Sequence, residues 1–329
     1  MKRAARVLVT GGAGYIGSHT CKRLAQDGFE CIVYDNLSTG FRHNVQWGPL
    51  VIGDILDRDR LDEAIQYYRP DAVVHFAALA YVGESVVEPK KYYRTNVTGT
   101  QTLLAAMRHA SVDTIVFSST CATYGIPQNL PITEGTPQNP INPYGASKLM
   151  VERILADFSQ AYGLKYAALR YFNACGADPE GALAEEHDPE THLIPRCLMA
   201  AAGQISEVEL FGDDYPTQDG TCIRDYIHVS DLAAGHALAL TSLLDGRGSL
   251  ILNLGTGSGY SVRQIVDCIQ RITGNTVPCV MRPRRPGDPP ALLADISAAK
   301  NEIGFIAQYS DLDTIVRTAW NKFKNELSN

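Results

Sequence analysis

Short apolar runs alternate with longer stretches in which apolar residues return every three or four positions, and this rhythm fills the first half of the chain. Residues 6–10 (Arg-Val-Leu-Val-Thr) read as a buried strand running into a glycine-rich segment at 11–17. A helical stretch follows to about Asp27, and Gly28 stands where a left-handed residue ends a helix. Residues 31–34 form the next strand, with Asp35 at its end. The alternation continues with a strand at 50–52, a helix over 57–68, a strand at 71–76, a long helix over 93–109 and a strand at 114–118. Asn142 and Pro143 mark the start of another helix, which leads to a strand at 166–170. Six apolar runs separated by amphipathic helices predict an α/β fold: a doubly wound parallel sheet covered on both faces.

Beyond Asn173 the rhythm breaks into proline, glycine and acidic loops without a clean linker. With 329 residues the chain exceeds the usual single core. The expected division is a first domain over 1–175 and a smaller C-terminal domain over 176–329, with 225–260 partly returning to the first. Composition is that of a globular protein, 45% hydrophobic and 20% charged, which argues against disorder. A net charge of −7 without a dense basic run excludes nucleic acid and anionic membrane as partners. Cys21, Cys31, Cys121, Cys175, Cys197, Cys222, Cys268 and Cys279 are scattered, with no Cys-x-x-Cys pair, and read as reduced thiols. No apolar run is long enough to span a bilayer, so a soluble, cytoplasmic protein is expected.

The first chemistry lies in the loop after the first strand. Gly11, Gly14 and Gly17 follow a strand and open a helix, where a tight turn, close backbone approach to a pyrophosphate and close helix packing each favour glycine. Free N–H groups and the helix dipole favour phosphate there. Asp35, 18 residues after Gly17, stands where a carboxylate accepts from adenosine ribose hydroxyls and repels a 2′-phosphate. The cofactor expected is NAD rather than NADP.

Tyr144 and Lys148 carry the second. Four residues apart at the start of a helix, they share one face, and a cation within reach favours the phenolate of a phenol that otherwise titrates near pH ~10. Such pairs also arise on helix surfaces by accident; the preceding dinucleotide fingerprint is what gives this one weight.

The motifs together resemble a known family. Residues 10–18 (Thr-Gly-Gly-Ala-Gly-Tyr-Ile-Gly-Ser), 35–37, 75–77, 82–85 and Tyr144-x-x-x-Lys148 resemble the extended short-chain dehydrogenases/reductases, with their Rossmann-like domain. Residues 170–173 (Arg-Tyr-Phe-Asn), 211–217, 220–229 and 284–288 are similar to the UDP-glucose 4-epimerase family within them, and the match runs nearly end to end. The resemblance implies a homodimer, a bound NAD and a UDP-sugar substrate. It implies that Tyr144 takes the proton of the sugar 4-hydroxyl while hydride passes to the nicotinamide, with Thr120 on the same oxygen. Lys148 and the positive nicotinamide would both depress the Tyr144 pKa. The 4-keto sugar then turns and takes hydride back on its other face.

Carried over residue by residue, the cofactor would lie against Gly11, Gly14, Tyr15, Ile16, Gly17, Asp35, Asn36, Asp54, Ile55, Phe76, Ala77, Ala78, Asn96, Ser118, Tyr171 and Phe172, besides Tyr144 and Lys148. Thr120, Tyr144, Asn173, His192, Leu193, Leu210, Phe211, Arg224, Tyr226, Arg285, Asp288 and Leu292 would meet the UDP-sugar. On residue type alone, Arg224 and Arg285 read first as salt-bridge partners of Asp225 and Asp288, and Leu210-Phe211 as plain core.

Two positions depart from the pattern. Thr191-His192-Leu193 stands where some members carry Asn-Asn-Leu. Its neighbours Glu185, Glu186, His187, Asp188 and Glu190 hint at a metal, but a His-to-His spacing of five does not share a helix face, so a solvated loop and no metal are expected. Leu292 stands at the gate for an N-acetyl group, intermediate between a blocking Tyr and a small residue. The expected reaction is therefore UDP-galactose/UDP-glucose interconversion with partial tolerance of N-acetylated sugars. The alternatives are a UDP-pentose 4-epimerase, a nucleotide-sugar dehydratase, which would need an acid–base pair that Thr120-Cys121-Ala122 lacks, and a non-catalytic NAD sensor.

Overall fold

The computed structural model describes residues 3–285 and 287–327. Strands β1 (Arg6–Thr10), β2 (Glu30–Asp35), β3 (Leu50–Ile52), β4 (Ala72–His75), β5 (Thr114–Thr120) and β6 (Lys165–Tyr171) fall within a residue or two of the apolar runs. A seventh strand, Leu250–Leu254, completes a parallel sheet in the order Leu250–Leu254, β6, β5, β4, β1, β2, β3. Strand direction alternates side chains between faces. Val7 and Val9 therefore enter one core with Val33, Val74 and Val116, while Leu8 enters the other with Ile32, Val73 and Ile115.

The chain leaves β1 towards β2 and β3 and later leaves β4 towards β5 and β6, so the strand order reverses between β1 and β4. A crevice opens at such a point beyond the carboxyl ends of the strands. The glycine loop follows β1, residues 76–78 follow β4, and Thr120 ends β5. All three regions of candidate chemistry thus converge by topology.

The returning segment is more divided than its sequence indicates. Helix Val229–Leu244 covers the sheet face beside helix Tyr15–Gln26, and Leu250–Leu254 joins β6. Tyr226–His228 instead pairs with Asn173–Cys175 outside the main sheet. A second return lies beyond 260: Ala299, Ile303 and Phe305 enter the core of the main sheet. That segment is short and half polar, too brief to show a period. A separate core gathers Cys197, Leu198, Leu210, Tyr226, Ile265, Ile269 and Val316. Among the described residues no helix is long and apolar enough to cross a membrane.

Candidate active site

Helix Pro143–Tyr162 begins as its sequence predicts, with Asn142 Oδ1 accepting from the Gly145 N–H at 2.8 Å and Pro143 in the first turn. A Cβ on Gly145 would lie 2.5 Å from the Ala122 carbonyl, so only glycine lets the helix press onto the loop after β5. This contact turns Tyr144 and Lys148 into the crevice mouth, where both are buried. Lys148 Nζ donates to the Ser118 carbonyl at 2.8 Å and stands 6.0 Å from the centre of the Tyr144 ring.

Burial pushes the Tyr144 phenol well above its ordinary value, with Tyr171 adding to the rise and a hydrogen bond with the Thr120 side chain opposing it. Burial also pushes Lys148 down to about 7, against the pull of Glu152. In the protein alone, desolvation of the phenol outweighs its other interactions, whereas the expected depression by Lys148 and the nicotinamide together concerns the cofactor-bound enzyme.

The dinucleotide loop has the required closeness. A Cβ on Gly17 would lie 2.1 Å from the Gly11 carbonyl, and one on Gly11 2.6 Å from the Ala77 nitrogen. The loop after β4, with Phe76, Ala77 and Ala78, is thereby held against the loop after β1. Asp35 is buried; its two oxygens accept from the Ala13 N–H at 3.0 Å and the Leu37 N–H at 2.8 Å. Each oxygen retains a lone pair for a ribose hydroxyl. Burial raises its carboxyl, and the two N–H groups oppose that rise. Asn36 donates to Asp54 at 3.0 Å, holding Asp54 and Ile55 beside Asp35. Ser118 Oγ meets the Tyr171 hydroxyl at 2.8 Å, and Asn96 binds both the Leu79 backbone and Ser147. These groups fit a dinucleotide. Three candidates are already engaged in packing: Ile16 lies against the sheet core, Phe172 packs with Tyr124, Ile132 and Ala294, and the Tyr15 hydroxyl donates to the Gly176 carbonyl at 2.6 Å.

For the sugar nucleotide the structure divides the predicted residues. Strand Val208–Phe211 alternates, so Leu210 is buried in the second core while Phe211 faces out beneath Arg285, 5.1 Å from its guanidinium. Tyr226 is also buried in that core, on the strand that pairs with Asn173–Cys175. Arg224 lies 3.7 Å from Asp288 Oδ1, and Arg285 donates to Asp288 Oδ2 at 2.8 Å. Two guanidiniums share one carboxylate and leave a net positive charge. Asn173 is exposed at the head of the strand paired with Tyr226–His228. Leu292, opposite Arg224 in register, packs half-buried on the cluster of Tyr124, Ile132 and Phe172.

Residues 185–192 form a loop, as expected, with Asp188, Pro189, Thr191 and His192 exposed, but two of its carboxylates turn inward. The stretch is not helical, so the helix-face spacing does not apply. Instead the chain folds back and brings the His187 and His192 rings to 4.6 Å. Side chains of Glu185 and Glu190 are only 8% and 9% exposed. Burial pushes Glu185 up to about 7, with His192 and His187 opposing. Burial also raises Glu190, but hydrogen bonds from both histidines outweigh it and leave the carboxyl at about 2. His192 stands at the N-cap position of helix Leu193–Ala201 without a side-chain capping bond, and Leu193 lies in the first turn.

Two carboxylates support the site: Glu152, which was not singled out in the sequence, and Asp225, which was read there only as a partner for the arginines. Glu152, four residues beyond Lys148 on the same helix face, pairs with Arg170 at 2.6 Å and accepts from Ser119. Asp225 accepts from the backbone of Thr256, Gly257 and Ala294, joining the loop after Leu250–Leu254 to the sugar side. The missed signal was a carboxylate recurring at helical spacing on a face already marked by Tyr144 and Lys148.

Comparison with known proteins agrees with this geometry. A UDP-glucose 4-epimerase of Rhizobium leguminosarum bv. trifolii is 51% identical over 315 residues, 96% of each chain. The crystal structure of UDP-glucose 4-epimerase from Brucella ovis in complex with NAD superimposes with a TM-score of 0.96 at 61% identity, covering 97% of this chain and 98% of that one. A UDP-glucose-4-epimerase from Stenotrophomonas maltophila with bound NAD and formylated UDP-arabinopyranose gives 0.95 at 42% identity, covering 98% and 99%. Residues 7–255 match the profile of one family over three quarters of the chain, and the protein thus belongs to the NAD dependent epimerase/dehydratase family.

Proposed function

We propose that the protein interconverts UDP-galactose and UDP-glucose at carbon 4 of the sugar, with NAD held at the glycine loop and Asp35. The observation that carries this reading is the pairing of a buried Tyr144–Lys148–Thr120 set with the separate cationic pair Arg224 and Arg285. Tyr144 accepts the 4-hydroxyl proton and later returns it, while Thr120 orients the same oxygen. Bound NAD supplies the hydride acceptor and, in its oxidised form, the further positive charge that favours the phenolate. Arg224 and Arg285 hold the diphosphate and leave the sugar free to present either face. Asn173, His192 and Leu193 complete the sugar side, and Phe211 offers a face for the base.

The reading extends to a cytoplasmic homodimer serving galactose use. Exposed Met150 and Tyr162 on helix Pro143–Tyr162 support a pairing surface there. A pentose substrate is the second reading, favoured by the arabinopyranose nucleotide in the Stenotrophomonas relative. Proton NMR of UDP-galactose, UDP-N-acetylgalactosamine and a UDP-pentose incubated separately with the enzyme tests it; turnover of the pentose alone would overturn the hexose assignment. Tyr144→Phe should retain NAD and lose ~10²–10⁴-fold in rate. Undiminished turnover in that variant would remove Tyr144 as the base.

A further inference from the structure

We propose that Glu185, His187, Glu190 and His192 form a binding site for one divalent transition ion, with Zn²⁺ as the ion its ligand set suits. One donor atom from each side chain lies within 4.8 Å of the others. Zinc bonds to nitrogen and oxygen of ~2.0–2.2 Å make the edges of a tetrahedral shell ~3.4 Å. The cluster already approaches that frame. Glu185 Oε1 lies 3.6 Å from His187 Nδ1 and 3.3 Å from His192 Nδ1, and Glu190 Oε2 lies 3.2 Å from His187 Nδ1.

The second observation is Glu185 itself. Its side chain is 8% exposed, takes no hydrogen bond among the described residues, and faces both imidazoles at distances too long for a good one. A buried carboxylate held in this way needs a cation, either a protonated imidazole or a metal ion, or must itself take up a proton. Two imidazoles offering one nitrogen each cannot satisfy two carboxylates. His192 Nδ1 lies 2.8 Å from Glu190 Oε1, and that oxygen also accepts the N–H groups of Thr191 and His192 at 2.7 Å. The contact to Glu190 Oε1 would give way to the ion. Imidazole and carboxylate donors without thiolate suit zinc, and four protein ligands leave no open position, so the ion would be structural.

Its place in the fold gives it a task. The His187 ring lies 6.1 Å from that of Tyr15 on the dinucleotide loop and 6.4 Å from that of Tyr81. An ion there would lock residues 185–192 over the glycine loop and fix the start of helix Leu193–Ala201. His192 would give Nδ1 to the ion and keep Nε2 for the sugar side, so the assignment shares one residue with the epimerase reading, and its readout is binding of the ion instead of turnover.

The test uses the NAD-bound enzyme, stripped with a chelator and titrated with Co²⁺ at about pH 8, where imidazole is neutral. The expected result is one equivalent bound with the intense visible bands of tetrahedral cobalt and no thiolate charge-transfer band. Zn²⁺ should displace it and raise the melting temperature. Glu185→Gln and His187→Gln, each close in shape to the original, should abolish the bands while leaving NAD content unchanged. Weak octahedral bands, a thiolate band, or full signal in both variants would overturn the site. Absence of any bound cobalt in the unmodified protein would do the same, independently of how the variants fold.

Discussion

Arg170 and Arg285 each pair with a carboxylate, yet the first guanidinium is 4% exposed and the second 59%. Arg170 donates through Nε and Nη2 to Glu152, while Nη1 serves the Tyr124 hydroxyl and the Glu134 carbonyl. It has little left to offer a ligand. Arg285 gives only Nε to Asp288, and its terminal nitrogens make no hydrogen bond among the described residues. Arg224, sharing the same aspartate, is largely buried but directs Nη2 only loosely at it, 3.7 Å away. The same pair of residue types thus serves as a closed support beneath the catalytic helix and as an open clamp facing the crevice. What separates them is how many of the guanidinium donors have found acceptors within the protein.

The largest effect should come from breaking the closed pair. Arg170→Met leaves Glu152 charged, buried and unpaired, which should cost ~3–5 kcal/mol in urea unfolding. Adding Glu152→Leu to that variant should recover much of the loss, since removing both charges removes the orphan. If the single variant unfolds at the unmodified midpoint, the closed reading of this pair is wrong.

The open pair should respond in the opposite currency. Arg285→Met should change stability by less than ~0.5 kcal/mol, because an exposed ion pair contributes little. Its KM for the UDP-sugar should rise ~10–100-fold, the worth of about 1.5–3 kcal/mol for hydrogen bonds to a charged group. A stability loss matching that of Arg170→Met, with KM unmoved, would return Arg285 to a structural role.

The contrast between the two arginines was only partly legible in the sequence. Strand positions and the cap at Asn142 were readable because apolar periodicity and capping chemistry are local. That Arg285 and Arg224 meet on Asp288 was not, since pairing depends on how strands Ile223–Arg224 and Ala291–Leu292 come together. Tyr226 was placed on the ligand through resemblance alone, and only the register with Asn173–Cys175 shows it entering the second core. At residues 185–192 the loop was legible, but not that it folds back to gather four side chains, since contacts within a loop leave no period in the sequence.

Lys148 tests how far the closed pair reaches, because Glu152 sits one turn away and favours its charge. Its folded pKa of about 7 lies below the 10.5 of the exposed amine. Between those values the unfolded chain binds the extra proton, so this group makes stability rise with pH. Its cost is fully present below pH about 7 and gone above about 10.5. Lys148→Met should therefore be more stable than the unmodified protein by ~1–2 kcal/mol near neutrality, with one pKa unit worth ~1.4 kcal/mol and the lost hydrogen bond to the Ser118 carbonyl offsetting part. The advantage should fade towards alkaline pH while turnover falls at every pH. An advantage that grows with pH would mean the lysine is held charged in the folded protein.

The smallest effect should appear where the two regions meet, at Leu292. It pairs in register with Arg224 of the open clamp, and its side chain rests on Tyr124, whose hydroxyl accepts from Arg170 of the closed support. A larger side chain there can grow only towards the crevice, because the buried side is filled by Tyr124, Ile132 and Phe172. Leu292→Tyr should leave UDP-galactose turnover within ~3-fold and lower turnover of the N-acetylated sugar ~10-fold, the scale on which a pocket separates substrates differing by a small group. Equal losses for both sugars would mean that the added ring disturbs Arg224 instead of filling space beside the sugar, and the gate would then lie elsewhere along the crevice.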